Sequence, residues 1–175
     1  MEKSPTTSII YKTPKECNWS KATVERYAQM LAEKLGFKVA GDLPGVVKSL
    51  NGEIIYLPPS AFDRTEDGSI EIEEDGSFQI FLSSFTHPLR DRFTVAHELG
   101  HYFLHAECKG PFKAERYGTG RTEWEANWFA SAFLMPAERV AEEFEKNTSI
   151  SDLADIFCVS PSAMEVRLKR LGLRG

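Results

Sequence analysis

The 175-residue sequence predicts an α+β fold, with a small antiparallel sheet packed on a mostly helical domain and a helix-turn-helix-like segment at the end. Short β-prone runs bounded by turn residues fall between residues 53 and 83. Apolar residues at helical spacing cover most of the remaining chain. We therefore expect an irregular lead-in over residues 1–19, one domain over residues 20–148, and a helical segment over residues 149–175 packed on it.

Two helices are expected before the sheet. Over Ser20–Leu35, apolar side chains recur on one helical face, and Gly36 follows where a C-terminal cap belongs. A shorter helix is expected over Leu43–Leu50, because Pro44 suits the first turn of a helix.

Three strands are expected next, over Glu53–Leu57, Ser69–Glu73 and Ser77–Ser83. The pair Asp75-Gly76 is typical of a tight turn, so the second and third strands should form an antiparallel hairpin. The strand Ser77–Ser83 is also expected to offer an edge with which an extended peptide can pair.

The rest of the chain has helical patterns. Helices are expected over Pro88–His105, Thr122–Met135 and Ala137–Lys146, and two short helices should close the chain. The stretch between residues 107 and 121 is rich in glycine and is expected to be irregular.

Composition excludes several classes of protein. The net charge of −5 disfavours diffuse binding to nucleic acid, which usually requires a basic excess. The three cysteines are widely spaced and form no CxxC pair, which disfavours a cysteine zinc site and favours a reducing compartment. No apolar run has the length of a signal peptide or a membrane span, so the expected location is the cytoplasm, with no membrane partner.

The segment His97-Glu98-Leu99-Gly100-His101 carries the chemistry. Histidines four residues apart lie on one face of a helix, so their imidazoles can bind one zinc ion. Glu98 lies roughly 100° further round the helix than His97, where it can reach a water molecule on that metal and act as general base. Gly100 has no side chain, so another backbone, from a strand or a substrate, can approach the helix there.

A catalytic zinc site needs a third protein ligand. Glu123 is the preferred candidate, because Glu123 and Asn127 lie one turn apart on the next helix. Asn127 can then accept a hydrogen bond from a ligand histidine. Glu125 is the rival ligand, with a solvated carboxylate as its ordinary role. His105 is expected to support a ligand or lie at the surface, since one helix cannot easily wrap three histidines round one ion.

Other residues near the motif have ordinary explanations. Cys108 is a remote candidate for a fourth, regulatory ligand, and Tyr102 is expected to pack in the core or lie at the surface. His87 is expected at the surface or as a helix cap. An apolar stripe on the Thr122–Met135 helix should pack against the motif helix; its members are Trp124, Trp128, Phe129 and Phe133.

Two motifs together resemble a known family. The segment RFTVAHELGH, residues 92–101, resembles the zinc helix of ImmA/IrrE-type metallopeptidases. The segment EWEANWFA, residues 123–130, and the following LMP resemble that family's second motif. The resemblance covers roughly residues 45–172. It implies a gluzincin-like site, with Zn²⁺ held by His97, His101 and Glu123 and with Glu98 as the base.

The resemblance also implies a biological role. Members of the family are site-specific endopeptidases that cut repressor proteins of bacterial stress responses or mobile elements. The expected activity is therefore zinc-dependent hydrolysis of a peptide bond in an intracellular protein, with a helix-turn-helix repressor as the expected partner. The sequence has no recognisable N-terminal helix-turn-helix repressor domain, so the repressor should be a separate chain.

The C-terminal segment supports a rival hypothesis. Residues 151–171 have helix-turn-helix spacing, with Ser160 as a cap and Pro161 in the first turn of the second helix. Local positive charge comes from Arg167, Lys169, Arg170 and Arg174. These residues lie at the end of the helix rather than at its start, where bases are usually read, which disfavours direct DNA binding. The alternative function is a non-catalytic regulatory or DNA- or protein-binding module with a structural zinc site.

Overall fold

The structure, a computed structural model, describes residues 13–61, 68–106, 112–115, 120–146 and 148–174. The described helices are α1 (Lys21–Lys34), α2 (Leu43–Ser49), α3 (Pro88–Leu104), α4 (Arg121–Leu134), α5 (Ala137–Phe144), α6 (Ile150–Phe157) and α7 (Pro161–Arg170). The described strands are β1 (Gly52–Leu57), β2 (Gly68–Ile72), β3 (Phe78–Ser83) and β4 (Phe112–Glu115). The predicted α+β class is confirmed. No helix within these ranges is long and apolar enough to cross a membrane.

The sheet is mixed, so the prediction of an antiparallel sheet is confirmed for the β2–β3 pair and wrong for β1. Its strand order is β1-β3-β2-β4. The hairpin of β2 and β3 is antiparallel as expected, with Ile70 opposite Ile80, and Gly76 in its turn has φ +82°. Strand β1 lies parallel to β3, with Ile54 opposite Ile80. Local turn signals predicted the hairpin, but the pairing of β1 joins residues far apart in sequence.

Strand β3 is not an edge, which corrects the expectation for Ser77–Ser83. It lies between β1 and β2 and pairs with both. The edges of the described sheet are β1 and β4. Strand β4 was not predicted. It is four residues long and pairs with β2 through Ile72 and Phe112, so its existence depends on a distant partner rather than on its own periodicity.

Helix α3 is the central element of the fold. It packs against β2 and β3 on one side and against α4 on another. All residues from Thr94 to His101 are buried in consequence. The apolar core around α3 has members from both the helices and the sheet. They include Val24, Leu31, Ile70, Ile80, Leu99, Phe129, Phe133 and Leu168. A helix buried on all sides over this stretch holds any polar side chain there away from water.

Gly100 is the point of closest approach between α3 and α4. A Cβ atom placed on Gly100 would lie 3.0 Å from Cα and 3.1 Å from the carbonyl oxygen of Ala126. Such distances are shorter than ordinary van der Waals contacts. The sequence correctly predicted that a backbone approaches Gly100, but the approaching backbone belongs to α4, not to a strand or a substrate.

Several predicted helix ends are confirmed. Ser20 caps α1 by accepting a hydrogen bond from the Thr23 amide, and Gly36 follows this helix with φ +66°. His87 caps α3, its Nδ1 accepting from the Leu89 amide at 3.2 Å. Ser160 caps α7, its hydroxyl accepting from the Ala163 amide. Each cap satisfies an amide that the helix itself leaves unpaired.

The C-terminal helices are held to the domain by a buried arginine. Arg167 is 0% exposed. Its Nε donates to the Met135 carbonyl at 3.0 Å, and its Nη1 bonds to Glu25 at 2.8 Å. This corrects the assignment of Arg167 to a positive surface, because the guanidinium is turned inward between α1 and the end of α4. The domain division at residues 148 and 149 stays a prediction.

We predict that Arg167→Met lowers the free energy of unfolding by about 3 kcal/mol, because it removes one partner of a buried ion pair. The matched control is Arg170→Met, an exposed position on the same helix, which should change stability by no more than about 0.5 kcal/mol. Urea unfolding monitored by circular dichroism measures both. Equal stabilities of the two variants would contradict the anchoring role of Arg167.

Candidate metal centre

Helices α3 and α4 bring three polar side chains together. His97 Nε2 and His101 Nε2 lie 3.1 Å apart. The Glu123 carboxylate faces both, with Oε2 3.2 Å from His97 Nε2 and Oε1 3.2 Å from His101 Nε2. His97 is 0%, His101 1% and Glu123 6% exposed. The sequence-predicted ligand set therefore converges on one point in the interior.

This donor set fits a zinc ion. One ligand atom from each residue lies within 4.8 Å of the other two. Two imidazole nitrogens and one carboxylate oxygen are typical ligands of a catalytic zinc site. Burial raises the pKa of Glu123, but hydrogen bonds from His101 and His97 outweigh burial and lower that pKa to about 2. Glu123 is thus ionised near neutral pH, as a ligand must be.

Asn127 contacts His97, as its spacing of four residues from Glu123 predicts. Its Oδ1 is 3.1 Å from Nδ1 of His97, the ring nitrogen that points away from Glu123. An amide oxygen can only accept a hydrogen bond, so Nδ1 of His97 carries a hydrogen and Nε2 is the nitrogen left to bind a metal. The contact turns His97 towards the metal position.

Glu125 is buried, which corrects the expectation of a solvated carboxylate. It is 0% exposed, and its Oε2 lies 3.0 Å from His105 Nε2. His105 is 2% exposed and its Nδ1 lies 2.9 Å from Nδ1 of His101. Of the two roles expected for His105, the structure favours support of a ligand. Helical spacing correctly predicted that Glu123 and Glu125 lie on different faces of α4. It did not predict that the face carrying Glu125 is also buried.

Burial and the neighbouring His101 lower the pKa of His105 to about 4, against the opposing effect of Glu125. His105 is therefore neutral near neutral pH. The pKa of Glu125 is raised by burial, but hydrogen bonds from Arg121, the Cys17 amide and His105 bring it below its usual range. The pair consequently joins a neutral imidazole to an ionised carboxylate.

The N-terminal segment, residues 13–20, closes this second face. The Cys17 amide donates to Glu125 Oε2 at 3.0 Å. Arg121 donates from Nε to Glu125 Oε1 at 2.9 Å and from Nη2 to the Trp19 carbonyl. Sequence reasoning missed Arg121, although its spacing of four residues from Glu125 was a usable signal.

Glu98 is also buried, at 0% exposure, in the turn of α3 between the two histidines. Tyr102 packs against Phe78, with ring centroids 4.5 Å apart, which agrees with the core role expected for it. Cys108 lies outside the described residues.

The apolar stripe of α4 is only partly as expected. Phe129 and Phe133 are buried in the core. Trp124 is 51% exposed, which corrects its assignment to the core. Trp128 is half-buried, and the Arg121 guanidinium lies 4.9 Å from its ring centroid. The face of α4 turned to α3 is narrower than the stripe, because Glu123 and Asn127 occupy part of it.

A buried HExxH helix facing a glutamate on a second helix is the arrangement of HExxH metallopeptidases. The chain belongs to the Peptidase_M78 family: the family model described as the IrrE N-terminal-like domain matches residues 51–169. The resemblance to ImmA/IrrE-type proteins is thereby confirmed. None of the curated proteins matches the chain.

The fold is similar to that of a solved structure described as a Mycobacterium tuberculosis transcriptional regulator. The TM-score is 0.61 and the sequences are 16% identical. The match covers 87% of this chain and 48% of that chain, so this chain spans about half the length of the regulator. At this identity the similarity concerns the fold alone.

We predict that Glu123→Gln, which keeps side-chain volume but removes the charge, weakens zinc binding by more than ~100-fold. That loss exceeds the roughly 10–100-fold usually caused by changing a residue that only supports a ligand. Competition with a chromophoric chelator measures the dissociation constant. Glu138→Gln on α5, where the side chain is exposed, is the control. Unchanged zinc affinity in Glu123→Gln would exclude Glu123 as a ligand.

Proposed function

We propose that this protein is a zinc-dependent endopeptidase that hydrolyses a peptide bond in a specific intracellular protein. The observation that carries the proposal is the convergence of His97, His101 and Glu123, with Glu98 buried in the same turn of α3. Membership of a peptidase family supports it. The compartment we propose is the cytoplasm, on the grounds of cysteine usage.

His97, His101 and Glu123 would hold the metal. A zinc ion bound by three protein ligands acts as a Lewis acid that polarises a carbonyl and makes water a nucleophile near neutral pH. Asn127 orients His97 for this task. Two neutral imidazoles and one carboxylate carry one negative charge in total, so a divalent cation held by them would keep a net positive charge.

Glu98 is the proposed general base. Because it follows His97 directly, its side chain leaves α3 beside the ligands rather than among them. From there it takes a proton from the attacking water, and it then delivers that proton to the leaving amine. Both transfers need the carboxylate to be within hydrogen-bond reach, and the burial of Glu98 in the turn between His97 and His101 supports this role.

The proposed substrate is a transcriptional repressor of the helix-turn-helix type. The ImmA/IrrE resemblance supports this class of substrate. An extended substrate segment can pair with an exposed strand edge. Strands β1 and β4 form the edges of the described sheet.

The alternative is a non-catalytic regulatory or binding module with a structural zinc site. Structural zinc sites usually have four protein ligands. Among the described residues, His97, His101 and Glu123 form a group of three. A site with three ligands leaves a position open for water or substrate, which favours catalysis. Direct DNA binding by α7 is further disfavoured because Arg167 is turned into the interior.

We predict that Glu98→Gln keeps zinc binding but lowers cleavage by about 10²–10⁴-fold, because the amide cannot accept the proton. The substrate to test is a helix-turn-helix repressor encoded beside the gene, with products identified by mass spectrometry. Glu138→Gln should cleave like the unaltered protein. Cleavage that survives in Glu98→Gln would refute the mechanism and favour the binding module.

A further inference from the structure

A continuous line of polar contacts leads away from the proposed zinc site through one ligand. Nε2 of His101 faces the site, while its Nδ1 lies 2.9 Å from Nδ1 of His105. Nε2 of His105 lies 3.0 Å from Glu125 Oε2. The other oxygen of Glu125 accepts a hydrogen bond from Arg121 Nε at 2.9 Å. Four side chains from α3, its end and α4 thus touch in sequence.

The order of hydrogen-bond donors along this line follows if a metal binds Nε2 of His101. A neutral imidazole that binds metal through Nε2 carries its hydrogen on Nδ1. His101 Nδ1 is then a donor, so the facing Nδ1 of His105 must accept. The hydrogen of His105 consequently lies on Nε2, which faces the Glu125 carboxylate. Every hydrogen on the line has an acceptor, and no two donors face each other.

The surroundings make these contacts strong. His101, His105 and Glu125 are each at most 2% exposed. Water cannot replace a lost partner there, and hydrogen bonds in such a medium are stronger than at the surface. The charge of Glu125 is balanced by the Arg121 guanidinium, and the Cys17 amide supplies a third donor. A buried carboxylate with three donors is a rigid acceptor.

We propose that His105, Glu125 and Arg121 are positioning residues that orient His101 and strengthen its bond to zinc. The inference rests on the zinc site of the proposed function. The two ligand histidines then have different partners. His97 contacts the neutral amide of Asn127, whereas His101 contacts His105, which in turn contacts the charged pair of Glu125 and Arg121. Contacts of this kind usually change metal affinity by about 10–100-fold when they are removed.

A second metal site is the rival explanation of the same residues. Ligand atoms of Cys17, His105 and Glu125 lie within 4.8 Å of one another. A metal on His105 Nε2 would, however, leave the His105 hydrogen on Nδ1. That hydrogen would then point at the Nδ1 hydrogen of a zinc-bound His101, at 2.9 Å between the nitrogens. The guanidinium of Arg121 beside Glu125 further repels a cation. The positioning role is compatible with a filled zinc site, and the rival is not.

The test compares the full chain with His105→Phe, which keeps a ring but loses both nitrogens, and with His105→Gln, whose amide can both accept and donate. We expect His105→Phe to weaken zinc binding about 10–100-fold, by chelator competition, and to shift the visible absorption bands of the Co²⁺-loaded protein. We expect His105→Gln to recover most of the affinity. His87→Gln, at the exposed cap of α3, should change neither readout.

Unchanged zinc affinity and an unchanged Co²⁺ spectrum in His105→Phe would overturn the proposal. If His105→Phe does not fold, Arg121→Gln decides, because that side chain is 31% exposed and its loss is better tolerated. Arg121→Gln must then weaken zinc binding, and wild-type affinity in this variant would overturn the proposal. Two zinc ions per chain, one of them lost in Cys17→Ser, would also overturn it in favour of the second site.

The failures of the two proposals are distinguishable. Metal affinity and the Co²⁺ spectrum do not depend on peptide cleavage. Loss of cleavage in Glu98→Gln together with unchanged metal binding in His105→Phe would remove the positioning role alone. Full cleavage in Glu98→Gln together with weakened metal binding in His105→Phe would remove the peptidase mechanism alone.

Discussion

The close contact between Gly100 and Ala126 is the constraint on which the site depends. A side chain at position 100 would push the two helices apart by a few tenths of an ångström, since a Cβ atom there would lie 3.0 Å from Ala126 Cα. Gly100 lies between His97 and His101 in the sequence, and Ala126 lies between Glu123 and Asn127. The short approach therefore carries the carboxylate to 3.2 Å from both imidazoles.

Burial of the carboxylates Glu123 and Glu125 is tolerated because each has partners within the interior. Isolated ionised groups in an apolar medium are very costly. Glu123 faces two imidazoles, and Glu125 is paired with Arg121 and His105. The same helix, α4, thus carries two buried carboxylates on two faces, one facing His97 and His101 and one facing His105. The N-terminal segment completes the second face with the Cys17 amide.

Much of the site was predictable because its polar residues lie only a few positions apart in the sequence. Spacing of four residues put His97 and His101 on one face, and the same spacing paired Glu123 with Asn127. Turn and cap residues placed the hairpin and most helix ends. The parallel pairing of β1, the strand β4 and the inward turn of Arg167 were not predictable. Each depends on a partner distant in the chain, whose position no local pattern encodes.

The different environments of Glu123 and Glu125 show what sequence spacing predicts and what depends on tertiary packing. Helical geometry alone separates these two carboxylates onto different faces of α4, and the pairing of Glu123 with Asn127 makes Glu123 the preferred metal ligand, with Glu125 as the rival. Helical geometry does not predict what surrounds the face of α4 that carries Glu125. Whether Glu125 meets water or His105 is decided by the N-terminal segment and the end of α3, which meet there only in the folded chain. Residue spacing thus indicates which side chains can share a metal. Tertiary packing determines what surrounds those side chains, because the contact between Cys17 and Glu125 joins segments about a hundred residues apart.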